Sequence, residues 1–198
     1  RHGPDADVDV WFSPLYIRQL LLDKVSWRKN EGLEPAFEEL RAAKATLDAE
    51  GIPMLLVYLP SKPEVMLPSV ADQLDVVWEM VTLNLVETPI TQQQFEAAIL
   101  QNLDALREIL EAFARKEEIA FLDATPHLRA VTEEGRLAFL SADTHWNDVG
   151  QQALVEPVVE ALEGLPREDR EVLILRLLEE LPNHLVATRV GVRPNTLA

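Results

Sequence analysis

The chain has 198 residues, 47% of them hydrophobic, which is enough for one sizeable domain or a domain with an appendage. A formal charge of −16 argues against nucleic acid as a partner of the main body, and the absence of Cys removes disulfides, thiolate metal sites and Cys nucleophiles. No run reaches the ~18 apolar residues that a membrane span needs.

The charge is unevenly placed. Residues 1–164 hold 13 Lys/Arg against 29 Asp/Glu, whereas residues 165–198 hold five of each, and this shift marks a boundary near Gly164. The first residue is Arg1 rather than Met, so the N-terminus tells nothing about compartment.

In chain order, Val8–Phe12 reads as a short strand. Leu15–Val25 carries Leu15, Ile17, Leu20, Leu21, Leu22 and Val25, which suits a buried helix. Leu33–Ala49 places Phe37, Leu40, Ala43 and Leu47 on one stripe, with Glu50-Gly51 as its stop. Ile52–Leu59 is a near-continuous apolar run and reads as an interior parallel strand buried on both faces. Pro60-Ser61-Lys62-Pro63 then starts a loop from the strand's carboxyl end.

The next long element opens at Thr91, which forms a capping box with Gln94. Phe95, Ile99, Leu103, Leu106, Leu110 and Phe113 follow at helical spacing and predict one helix running to about Glu117. Ile119–Leu122 reads as a short strand, Pro126–Thr132 as a helix and Asn147–Leu162 as a further helix bent by Pro157. Helices alternating with strands predict a parallel α/β sheet covered by helices. Only two or three strands are visible where such sheets hold about five or six, so the domain reads as incomplete on its N-terminal side.

The chemistry concentrates in Asp143-Thr144-His145-Trp146-Asn147, followed by Gly150. An Asp two residues before a His, between a strand and a helix, is one way in which serine hydrolases present an orienting carboxylate and a general base. The plain alternative is a surface His capping a loop with Asp143 as its partner. Trp146 reads as a packing residue that shields the His, and Asn147 as the cap of the following helix. Ser61-Lys62 has the residue types of a Ser-Lys nucleophile, with a loop Ser beside a rim Lys as the blander view; Lys62 is a candidate for binding an anionic group of a substrate, with Ser61 beside it. Asp123 ends a strand and reads as a turn or capping residue, and nothing marks His127 as a ligand. The four His never show metal-ligand spacing, so neither a metal nor another cofactor is expected.

Three stretches carry a resemblance. Ile52–Val65 (IPMLLVYLPSKPEV), Ile119–Val131 (IAFLDATPHLRAV) and Asp143–Gly150 (DTHWNDVG) together resemble bacterial SGNH (GDSL-type) hydrolases related to alginate O-acetyltransferases, over roughly residues 15–163. The resemblance implies a three-layer α/β/α sandwich, acyl hydrolysis or transfer on an ester or acylated carbohydrate, Asp143 as orienter and His145 as general base. The family's nucleophile lies in a Gly-Asp-Ser block after the first strand, and no Gly-Asp-Ser occurs in this sequence. Two readings follow: a first strand and nucleophile upstream of Arg1, which leaves this chain inactive alone, or a degenerate relative. The implied domain is 1–163, in the cell envelope or secreted, with self-association or a missing N-terminal segment completing it.

The tail, 165–198, resembles the C-terminal helix-turn-helix of RNA-polymerase sigma factors, with helices at Pro166–Leu181 and Leu185–Val190 and a turn at Gly191–Thr196. That resemblance implies a cytoplasmic transcription-related protein docking on DNA or polymerase. The segment's zero net charge and its end one turn into the recognition helix favour a helical hairpin without DNA affinity, packing Val172, Leu173, Leu177 and Leu181 on the main domain or a partner.

Overall fold

A computed structural model describes residues 9–84 and 90–161. They form a mostly helical α/β unit around a two-stranded parallel sheet. The tail, its apolar stripe, Val8 and Leu162 lie outside the described residues.

Strand β1 spans Leu55–Tyr58 and pairs with β2, Ala120–Asp123, in the register Leu55↔Ala120 to Tyr58↔Asp123. Each strand is entered from a helix closed in the same way. Helix α3, Leu33–Ala49, ends on Gly51 at φ 71°, and the Ile52 N–H returns to the Leu47 carbonyl at 2.9 Å. Helix α7, Ala105–Lys116, ends on Glu118 at φ 55°, with the Ile119 N–H on the Ala114 carbonyl at 2.8 Å. A left-handed residue after the cap reverses the chain into the strand, and at 118 a side chain other than glycine's takes that conformation.

Alternate strand residues turn to two separate cores, as the two-residue side-chain period requires. Leu55 and Leu122 pack on the larger cluster, which includes Ile17, Val65, Leu67, Phe95, Leu128 and Phe139. Leu56 and Phe121 pack on the smaller one, built on Phe37, Ile109 and Phe113. There Phe37 and Phe113 stack at 4.0 Å between centroids, with the Arg41 guanidinium 5.3 Å from the Phe113 ring.

Several expectations change. Residues 9–12 form no strand; the Trp11 N–H instead donates to the Ser141 carbonyl at 2.9 Å, and Phe12 is buried in the larger core. Leu15–Val25 is not one helix but two, α1 (Pro14–Gln19) and α2 (Lys24–Arg28), because Asp23 caps a new start by accepting from the Ser26 N–H at 2.7 Å. Leu55, Leu56 and Val57 are only partly buried, since among the described residues β1 has a neighbour on one edge alone.

The stretch after Pro60 is structured, not a loop. Helix α4 covers Lys62–Met66, a 3-10 segment follows over Leu67–Gln73, and α5 covers Leu74–Asn84. The single helix expected from 92 to about 117 is two, α6 (Gln92–Asn102) and α7, with the Thr91–Gln94 capping box in place. The break at Leu103-Asp104 lets Phe95, Ile99 and Leu103 serve the larger core while Ile109 and Phe113 serve the smaller. Helices α8 (Thr125–Glu133) and α9 (Asp148–Ala161) close the unit, α9 continuing through Pro157.

Candidate functional site

Between α8 and α9 the chain makes a pinched turn. An isolated antiparallel bridge joins Phe139 to Trp146, and the Leu140 N–H donates to the His145 carbonyl at 3.0 Å. The two rings meet edge to face with centroids 6.5 Å apart, so Trp146 anchors the turn on the larger core. Asn147 locks its base from both sides. Its amide donates to the carbonyls of Leu137 (2.9 Å) and Phe139 (3.2 Å), and its oxygen accepts from the Gly150 N–H at 3.1 Å. The last bond is the helix cap that its position in the sequence predicts.

Asp143 and His145 stand at the tip. Asp143 Oδ1 lies 2.7 Å from His145 Nδ1 and also accepts the backbone N–H groups of Thr144 and His145. The carboxylate therefore fixes the ring orientation and favours the tautomer with its proton on Nδ1, leaving Nε2 as the free basic nitrogen. The His145 side chain is 80% exposed and that of Asp143 48%. Bonds from the His145 ring and the Thr144 N–H hold the Asp143 carboxyl below its ordinary 3.8.

That depression fixes a pH dependence. A carboxylate whose folded pKa is lowered contributes order that is fully present above 3.8 and is lost as pH falls through the folded value. Carbon NMR of the Asp143 carboxyl should therefore show the anion still as the majority form at pH 3.8, with its midpoint below that value. A midpoint at or above the ordinary carboxylate value would contradict the bonded geometry.

The pair lies beside the carboxyl end of β1. A shallow groove there is lined by Leu59, Pro60, Thr144, His145, Trp146 and Gln151. A second groove shares Leu59, Pro60 and Thr144 and extends toward Tyr16, Gln19 and Ser61. Ligand sites of open parallel sheets gather at this rim.

Lys62 forms part of the wall of the second groove, but its ammonium is turned away into the protein. It is 1% exposed, and its ammonium donates to the carbonyls of Leu140 (2.7 Å), Ser141 (2.8 Å) and Asp143 (2.9 Å). With all three N–H groups engaged, no donor remains for an anionic substrate group, and no lone pair for activating Ser61. Ser61 is the N-cap of α4, its N–H donating to Glu64 Oε2 at 2.7 Å. It stays partly exposed on the second groove.

Beneath the rim runs a polar network that sequence reasoning missed. The Tyr58 hydroxyl donates to Glu64 Oε1, and burial followed by the Glu64 charge pushes that phenol well above its usual range. Arg129 donates to the Glu64 carbonyl at 2.9 Å and to Asp104 at 2.9 Å, and Arg107 links Asp104 to Asp123. Asp123 is the turn residue its position suggests, accepting from the Thr125 N–H at 2.8 Å. Glu64 three residues after Ser61 was the available signal, being another capping-box spacing.

Among the described residues no serine hydroxyl bonds to His145, and no group of His, Asp and Glu is placed to hold a metal ion. No helix of the described residues is long and apolar enough to cross a membrane. Neither a protein-family model, a curated protein nor a solved structure matches the chain.

Proposed function

We propose that residues 1–163 form part of an SGNH-like serine esterase or O-acyltransferase domain acting on an ester or acylated carbohydrate. Asp143 orients and His145 is the general base. The observation that carries this reading is the 2.7 Å contact between Asp143 Oδ1 and His145 Nδ1, which leaves the other ring nitrogen free at the rim of a parallel sheet. In the proposed reaction a serine hydroxyl gives its proton to His145 Nε2 as its oxygen attacks the ester carbonyl. The imidazolium then returns the proton to the leaving alkoxide.

The three-layer α/β/α architecture belongs to the same proposal. Two apolar clusters, each reached by alternate residues of β1 and β2, support it. Further strands would extend the sheet from the β1 edge, where the described residues supply no neighbour. The nucleophile is then a serine outside this sequence, which has no Gly-Asp-Ser block. An envelope or secreted location follows from this reading.

The test uses an activated-serine phosphonate probe on two proteins. The isolated 198-residue chain should not be labelled. The longest natural polypeptide containing it should be labelled on one serine, and His145→Ala should abolish that labelling. Labelling that survives His145→Ala, or none in the longer polypeptide, would end the esterase reading.

A further inference from the structure

We propose that Lys62 is the positioning residue of the Asp143–His145 pair, holding the backbone of their turn from below so that carboxylate and imidazole meet. The proposal rests on the orienter-and-base reading of that pair. It starts from an arrangement that neither anion binding nor base catalysis explains: a fully buried ammonium facing three carbonyls drawn from four consecutive residues, 140–143.

The turn is too short to satisfy its own backbone. Leu140 donates across the pinch to His145, and the Asp143 N–H reaches the Leu140 carbonyl at a long 3.4 Å. The carbonyls of Leu140, Ser141 and Asp143 converge inward on one point. Without a donor there the Leu140 and Asp143 carbonyls would lose their strong partner, Ser141 alone keeping the Trp11 N–H, and the turn would re-form with those carbonyls facing water. Asp143 supplies both the third carbonyl and the carboxylate. A rotation that frees its C=O also moves its side chain relative to a ring two residues on.

The donor itself stands on rigid ground. Lys62 is the first residue of α4, directly beyond β1, and residues 62–66 are all buried. Glu64 ties the start of this helix through the Ser61 N–H and the Tyr58 hydroxyl, and Arg129 holds the Glu64 carbonyl. The Trp11 N–H also donates to the Ser141 carbonyl, and the Phe12 ring centroid lies 6.0 Å from the ammonium. Burial lowers the Lys62 pKa to about 8, the Asp143 charge partly offsetting it, which still leaves the ammonium the majority form at neutral pH. An ammonium suits this job because its three donors diverge tetrahedrally from one atom, whereas a guanidinium spreads its donors in a plane.

The experiment reads the His145 ring directly. Ring-nitrogen-labelled protein is compared at pH 7.5 by proton–nitrogen correlation NMR as wild type, Lys62→Met, Lys62→Arg and Asp143→Asn, with amide spectra reporting the fold. Wild type should show the neutral imidazole predominantly protonated on Nδ1. Lys62→Met should lose that bias while remaining folded, and Lys62→Arg should restore it in part. A folded Lys62→Met with the wild-type tautomer ratio would overturn the proposal and leave Lys62 a structural contact only. Should Lys62→Met not fold, Lys62→Gln, which keeps most of the stem and two donors, is judged by the same criterion. Asp143→Asn separates the two layers of the argument. If it leaves the ring unchanged, the Asp–His pair and the functional reading fail together. If it shifts the ring while Lys62→Met does not, the positioning role alone fails.

Discussion

Replacing Gly150 by Ala should destabilise the protein by about 3 kcal/mol, at the upper end of the usual cost of overpacking. The sign is informative, because local propensity points the other way. Gly150 lies inside α9, where Ala is favoured over Gly by roughly 1 kcal/mol. A Cβ at this position would sit 2.2 Å from the Ala138 carbonyl oxygen and 3.1 Å from its carbon. Both are backbone atoms, so no rotamer change relieves the contact. The same Ala138 carbonyl accepts the Asn147 N–H at 3.2 Å, so relief would require the base of the Asp143–His145 turn to move. Urea denaturation of wild type and Gly150→Ala measures the difference. An Ala variant as stable as wild type or more so would mean that α9 does not lie this close to the turn.

The DTHWNDVG block is also where the sequence was most legible. Its alternation of roles comes from local chemistry: a carboxylate two residues before an imidazole, an amide at a helix start, a glycine one turn in. Such features depend on neighbours within a few residues and survive any tertiary context. Helix α3 was readable to its last residue for the same reason, since the Glu50-Gly51 stop is a local backbone event.

What the sequence hid was decided at longer range. The spacing from Phe95 through Leu103 to Phe113 stays helical across the break at Asp104, because a stripe cannot reveal that its two halves face different cores. Asp104 itself is held by Arg129 and Arg107, partners that periodicity does not name. Helix α5 carries its own signal, Leu74, Val77 and Val81 buried at helical spacing, yet the loop expected to start at Pro60–Pro63 extends over it. Lys62 was read as a rim cation because a lone Lys after a strand usually is one. Its burial follows from three carbonyls contributed about eighty positions later, which no local pattern encodes.

The largest expected effect falls on Asp143. On the proposed esterase or acyltransferase reading, Asp143→Asn in the longest natural polypeptide carrying this chain should lower turnover by about 10⁴ while leaving the fold intact. The half-exposed carboxylate contributes little packing, so amide spectra and unfolding midpoints should change only slightly. The damage comes from the proton's position. Asp143 Oδ1 accepts from His145 Nδ1, the Thr144 N–H and the His145 N–H, whereas an Asn side chain turned toward the ring can present an NH₂ donor instead. An imidazole that accepts at Nδ1 carries its proton on Nε2, the nitrogen that must take the nucleophile's proton. The variant also loses the negative charge that stabilises the imidazolium formed during attack. Because the groove's other walls, Leu59, Pro60, Trp146 and Gln151, are unaltered, the loss should appear chiefly in kcat with KM nearly constant. Turnover within tenfold of wild type would show that His145 does not act as a base oriented by Asp143, however close the two side chains lie.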